Sequence, residues 1–322
     1  MPESNASCSF RTSIGGQALI EGILMRGPRK QAIVCRTADG LVEKTEDFVP
    51  FKERHPFLGL PFVRGSAVFV DSMIKGMQAL SYSASLVPEE EIGEPDKLDL
   101  WIQDHFPEEK AQKLIIGTSV VLGIGLSLLL FVFLPSLLVR LLNFKQAFSL
   151  PLINLLEGVL RVGILLGYMA LVSRVKDIRR LFSYHGAEHK SIFCYEKGLP
   201  LTVENVRTQS RFHPRCGTSF LLVVVLVSIL VNLLFNFIFP VTNLFARVGC
   251  HLLLLPVVVG LSYEMNRWCG GHDNWLSAVL SAPGKWLQRI TTNEPDDSMI
   301  ECAIRALELV IPEEKGSDLW GA

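Results

Sequence analysis

His185, Glu188 and His189 lie in the run His185-Gly-Ala-Glu188-His189, which has the H-x-x-E-H spacing of inverted zinc peptidases. On a helix, two imidazoles four residues apart share one face, a turn apart, and can hold one metal ion between them. Glu188, beside the second histidine, is then placed to act as general base toward a water that the cation has made more acidic. Two more donors follow in His213-Pro-Arg-Cys216-Gly, and the carboxylate of Glu264 comes 75 residues after His189, as a third ligand of an inverted zinc peptidase would. His185, His189, His213, Cys216 and Glu264 are therefore the candidate ligands of a divalent metal ion, most simply zinc, with Glu188 as the candidate catalytic residue. A catalytic zinc site keeps a position open for water, whereas a structural one is closed by four protein ligands. The same residues thus support a hydrolytic enzyme, its shell completed by Glu264 or His213, or a scaffold closed by His185, His189, His213 and Cys216. In a blander reading the two histidines face lipid headgroups, His213 caps a helix and Cys216 fills an apolar site.

Glu157 and Arg161 are also four residues apart, inside an apolar stretch. Counted at about 1.5 Å per residue from position 152, they lie roughly 7 and 13 Å into the hydrocarbon, where isolated charges are expensive. They are expected to pair with each other or to face a bundle interior, either lining a polar path or only packing helices. Asn232 and Asn236, again four apart, can supply interhelical hydrogen bonds. Glu21 and Arg26 either approach the histidine-rich site or form a surface salt bridge, the latter being the simpler reading. Cys194, Ser219 and the group Cys269, His272 and Asp273 have no spacing that singles them out, and no glycine-rich phosphate-binding pattern occurs.

The elements that must carry these residues are mostly apolar. Hydrophobic residues make up 49% of the 322 and charged ones 20%, with a mean hydropathy of +0.34, too apolar for an ordinary soluble domain. Stretches 114–139, 152–173, 218–240 and 248–266 are each expected to cross a bilayer as a helix. Between the second and third lie Arg174, Lys176, Arg179, Arg180, Lys190, Lys197, Arg207, Arg211 and Arg215, against Arg140, Lys145 and Arg247 in the loops of the opposite side. That bias puts the histidine-rich segment, and with four spans both termini, in the cytoplasm. A net charge of -1 gives no support to a nucleic-acid partner. The seven cysteines are scattered without a disulfide framework, and the first 20 residues hold no apolar core of a cleavable signal peptide.

Along the chain, residues 1–12 read as a tail and 13–63 as a β-rich module with a hairpin turn at Ala38-Asp39-Gly40. Residues 64–113 hold an amphipathic helix and an acidic linker at Glu89-Glu90-Glu91, 114–268 form the membrane domain with a His/Cys-rich loop at 174–217, and 269–322 form a tail with a helix over 298–310.

The segments GGQALIEGILMRGP, YHGAEHKSIFCYE, LTVENV, HPRCGTSF, GLSYE and LQRITTNEPDD, spread over 14–309, are together distinctive. Through them the chain resembles the YqhQ-like family of bacterial membrane proteins, found also in plastids, a family of unknown function regarded as metal-dependent enzymes. The resemblance implies His185, Glu188, His189, His213, Cys216 and Glu264 as site residues, and it supplies no substrate.

These readings converge on a mainly α-helical, four-helix integral membrane protein of the bacterial inner membrane, with a small cytoplasmic β-rich N-terminal module and a helical C-terminal tail. The expected activity is metal-dependent hydrolysis of a lipid headgroup or peptide at the cytoplasmic surface. The alternative is a non-enzymatic scaffold that docks a partner. Transport through Glu157 and Arg161 is a third reading, though four spans are few for a transporter unless the chain forms a homo-oligomer.

Overall fold

Period-two alternation sends successive side chains of a strand to opposite faces, and the N-terminal module buries both. In the computed structural model, which describes residues 10–49, 56–87, 97–141, 150–241 and 243–320, strands β1 (Gly15–Leu19), β2 (Gly22–Arg26), β3 (Lys30–Thr37) and β4 (Gly40–Asp47) form an antiparallel meander in chain order. The expected Ala38-Asp39 turn joins β3 to β4: Thr37 pairs with Gly40, which takes a φ of 122° that suits glycine. Residues 1–9, Glu89-Glu90-Glu91 and Lys145 lie outside the described residues.

The helices are α1 (Val63–Ala84), α2 (Lys97–His105), α3 (Glu108–Leu128), which runs through a π-helical turn at Leu129–Phe133 into α4 (Leu134–Leu141), α5 (Leu150–Val172), α6 (Lys176–Glu196), α7 (Val203–Arg207), α8 (Gly217–Ile238), α9 (Leu244–Gly271), α10 (Trp275–Thr291) and α11 (Asp297–Glu308). Four segments are long and apolar enough to cross a membrane: Leu114–Val139, Leu152–Val172, Gly217–Ile238 and Phe245–Gly271. The fourth begins three residues before the sequence places it, because Arg247 lies within it instead of in the preceding loop. The chain divides into two compact units, one of Met1–Leu86, Leu166–Ser228 and Leu255–Ala322, the other of Val87–Leu165 and Ile229–Leu254.

In the first unit the sheet is the middle of three layers. Ile23 and Met25 of β2 and Ala32 and Val34 of β3 pack on Tyr184, Ala187 and Ile192 of α6 and on Met299, Cys302, Ala303, Ala306 and Leu307 of α11. The alternate residues Leu19, Leu24, Ile33 and Cys35 pack on Ala79 of α1. The segment expected as a His/Cys-rich loop is therefore mostly helix, and α6 is buried on every side from Tyr184 to Ile192 although it is rich in polar residues. It stops at a Schellman motif: Gly198 at φ 67°, with Gly198 N–H donating to Tyr195 O and Leu199 N–H to Cys194 O. Residues 11–13 meet 318–320 through Ser13 N–H to Asp318 O (2.5 Å), Trp320 N–H to Arg11 O (2.9 Å) and Thr12 Oγ1–H to Asp318 Oδ2 (2.6 Å).

In the second unit Glu157 and Arg161 of α5 do pair, at 3.5 Å, and both are buried. Their surroundings are more charged than the sequence suggests. Arg247 and Ser136 also donate to Glu157, and His251 Nε2 lies 3.7 Å from it.

Candidate metal centre

A helix presents residues i, i+3 and i+4 on one face, and α6 uses this to set His185, Glu188 and His189 together. The two imidazole rings are 4.4 Å apart between centroids. Cys216, immediately before α8, closes the group: one ligand atom from each of His185, His189 and Cys216 lies within 4.8 Å of the others, and all three residues are buried.

The outer contacts fix which atoms face inward. His185 Nδ1 lies 2.8 Å from Thr291 O, and His189 Nδ1 lies 2.5 Å from Arg211 O. A carbonyl oxygen only accepts, so each Nδ1 carries the proton and each neutral ring turns an Nε2 lone pair inward. Metal-ligating histidines are oriented in this way by backbone or carboxylate partners. His185 Nε2 is 3.1 Å from Cys216 Sγ. Glu188 stands beside both rings, its Oε2 3.9 Å from His185 Nε2 and 4.0 Å from His189 Nε2, while Oε1 accepts Gly16 N–H of β1 at 3.0 Å. The structure thus contains a group whose donor set suits a divalent ion.

Electrostatics follow from this crowding. Burial pushes the Cys216 thiol up, but His185 and His189 outweigh it and bring the thiol well below its ordinary value. Burial disfavours charge on His185, and the adjacent Cys216 sulfur overcomes that and raises the imidazole to about 9. The two imidazoles thus favour the thiolate of Cys216. A thiolate is also the form in which cysteine binds metals. Burial raises Glu188 against the opposing pull of His189 and His185.

Two of the expected ligands are not in this group. His213 is buried beside Glu196 (3.6 Å) and next to Arg215, with its backbone N–H donating to Gln288 Oε1 at 2.7 Å. Glu264 is taken by Arg64 through paired bonds of 2.7 and 2.5 Å. Of the weaker candidates, Glu21 pairs with Arg180 at 2.5 Å and not with Arg26, and Cys194 is buried with its thiol pushed up by burial. Ser219 accepts from Gln288 Nε2 at 2.7 Å, and His272 stacks on Trp268. Glu196 lies seven residues after His189 and hence on the same helix face, but it belongs to no ligand motif. Thr291, Arg211 and Gly16 contribute backbone atoms, which no side-chain pattern announces.

The chain is similar to proteins of undetermined role. The model of a family described as "Protein of unknown function (DUF1385)" matches residues 60–313. The uncharacterized protein YqhQ of Bacillus subtilis (strain 168) is 34% identical over 313 residues, covering 94% of each chain. No solved structure matches.

Proposed function

The chain belongs to the DUF1385 family, whose function is unknown, and from that premise we propose that His185, His189 and Cys216 hold a divalent metal ion of the zinc class in a membrane-embedded hydrolase. The observation that carries the proposal is the meeting of two Nε2 atoms and one Sγ, with both Nδ1 atoms committed to backbone carbonyls. Nitrogen and sulfur donors in this number suit zinc, and three protein ligands are the complement of a catalytic site. When bound, such an ion supplies Lewis acidity that brings the pKa of a water to ~7. The chain's own residues supply the rest. Glu188 accepts a proton at Oε2, while the Gly16 N–H on Oε1 keeps the carboxylate from swinging away. His185 and His189 are held in register by Thr291 and Arg211. The substrate would be a lipid headgroup or a peptide, reached at the cytoplasmic face of a bacterial inner membrane, where the basic residues of 174–217 point. The scaffold alternative calls for a fourth protein ligand, and His213 is engaged with Glu196 and Arg215 instead.

Elemental analysis of the detergent-purified protein tests this reading. About one zinc-class ion per chain is expected in the native protein and in Glu188→Gln and Glu264→Gln, and none in His185→Ala, His189→Ala or Cys216→Ser. Glu188→Gln should retain metal and lose hydrolysis. A native protein that takes up no metal on reconstitution would overturn the metalloenzyme.

One contact favours a second, metal-free reading. Cys216 sits at the N-terminus of α8, where its Sγ also accepts Thr218 N–H at 3.4 Å, and His185 is oriented by Thr291 as a nucleophile's base would be. In that case iodoacetamide alkylates Cys216 faster than the other cysteines, His185→Ala abolishes the preference, and zinc does not protect.

A further inference from the structure

In the second unit, each membrane-length segment contributes to one buried polar cluster. Ser136 comes from the first, Asn154, Glu157 and Arg161 from the second, Asn232 and Asn236 from the third, and Arg247 and His251 from the fourth. Glu157 is the hub. It accepts from Ser136 and Arg247, pairs with Arg161 at 3.5 Å and has His251 Nε2 at 3.7 Å, while Arg247 Nη2 also donates to Asn154 Oδ1 at 2.7 Å. Arg161 is 7% exposed and Arg247 5%.

Two guanidiniums here face one carboxylate, leaving one positive charge in excess before His251 is counted. Among the described residues the Nε–H of Arg161 and the Nε–H of Arg247 have no acceptor. An unmatched charge and two unsatisfied charged donors at membrane depth are each costly. Both arginines line one small cavity with Asn154, Glu157, Asn232 and His251, in which the centre of a water-sized sphere can range over about 10 Å³. That is room for one particle of about a water's size, too little for a phosphate or a carboxylate-bearing solute.

We propose that this cavity is a binding site for a single small anion of the halide class, chloride being the ordinary occupant. One such ion balances the excess charge and is an acceptor of the kind the two Nε–H groups lack. The site is independent of the metal centre, and it stands whether or not the hydrolase does.

The test is thermal unfolding of the full chain in detergent, titrated with potassium chloride against potassium gluconate at constant ionic strength. The midpoint should rise saturably with chloride. Arg247→Gln, which removes the excess charge and one donor, should abolish the rise or shift its half-saturation upward by roughly tenfold, the scale of one hydrogen bond to a charged group. Glu157→Gln, which enlarges the excess, should shift half-saturation the other way. Crystals grown in bromide should show an anomalous peak between Arg161 and Arg247, and that peak alone decides if the variants fail to fold. A native midpoint indifferent to chloride, an effect that survives in Arg247→Gln, or crystals without the peak would overturn the proposal in favour of a water, which Asn236 Oδ1 would also suit.

Discussion

His213 is a candidate ligand by its place in the sequence, and its buried position gives it a different physical consequence. Burial, with Arg215 alongside, lowers its pKa from the usual 6.5 to about 4, and Glu196 only partly opposes this. The folded chain therefore keeps His213 neutral over a range in which the unfolded chain protonates it. Its contribution to stability is complete above pH 6.5 and is lost as the pH falls toward 4. Glu196, which His213 and Arg215 hold below the usual carboxylate range despite burial, loses its contribution in the same direction, at lower pH. The unfolding midpoint in detergent should accordingly fall between pH 6.5 and 4, with most of that slope missing from His213→Gln; parallel curves would rule out His213 as its source. At this scale the sequence was informative about side chains and silent about backbone. His185, Glu188 and His189 were legible because their spacing has a helical period. Glu264 misled because its position on a neighbouring apolar segment could not reveal Arg64, 200 residues earlier, as its partner.

Among elements, the tightest fit to the site is β1 against α6. A Cβ built on Gly16 would lie 2.9 Å from Glu188 Cγ and 2.8 Å from Leu24 O, so nothing larger than glycine lets the strand bring its N–H to the carboxylate. Gly16→Ala should keep the metal and lower hydrolysis by roughly a hundredfold, as a displacement of about 1 Å in a catalytic group can; unchanged turnover would remove β1 from the machinery. A similar approach joins α6 to the segment after α10, where a Cβ on Gly186 would run into Asn293 O. The strands and the membrane-length helices were readable from period and length. The buried state of α6 was not, because its polar residues and basic flanks look like those of a solvated loop. What buries it is the sheet on one side and α11 on another, both remote in sequence. Arg247 was assigned to a loop for a related reason: a hydropathy window ends at a charge, whereas a charge with a buried carboxylate partner can lie inside a helix.

At the scale of the molecule, the proposed orientation has four membrane-length helices crossing the bilayer, an even number that leaves both termini on one side. With the basic residues of 174–217 as the inward signal, reporters fused near residues 10 and 320 should both be active on the cytoplasmic side, and a reporter placed near residue 145 should be active only on the other; any other pattern would break the proposed orientation. The contacts of residues 11–13 with 318–320, and of His185 with Thr291, also set an order in time. Ribosomes deliver the N-terminal strand, α6 and the thiol long before the carbonyl that orients His185, the helix α11 that packs on α6, and the Asp318 that fastens Thr12. All four apolar segments precede these residues in the chain. The geometry around His185 is thus completed late in the making of each molecule, and a chain released before residue 291 would lack the carbonyl that orients the imidazole.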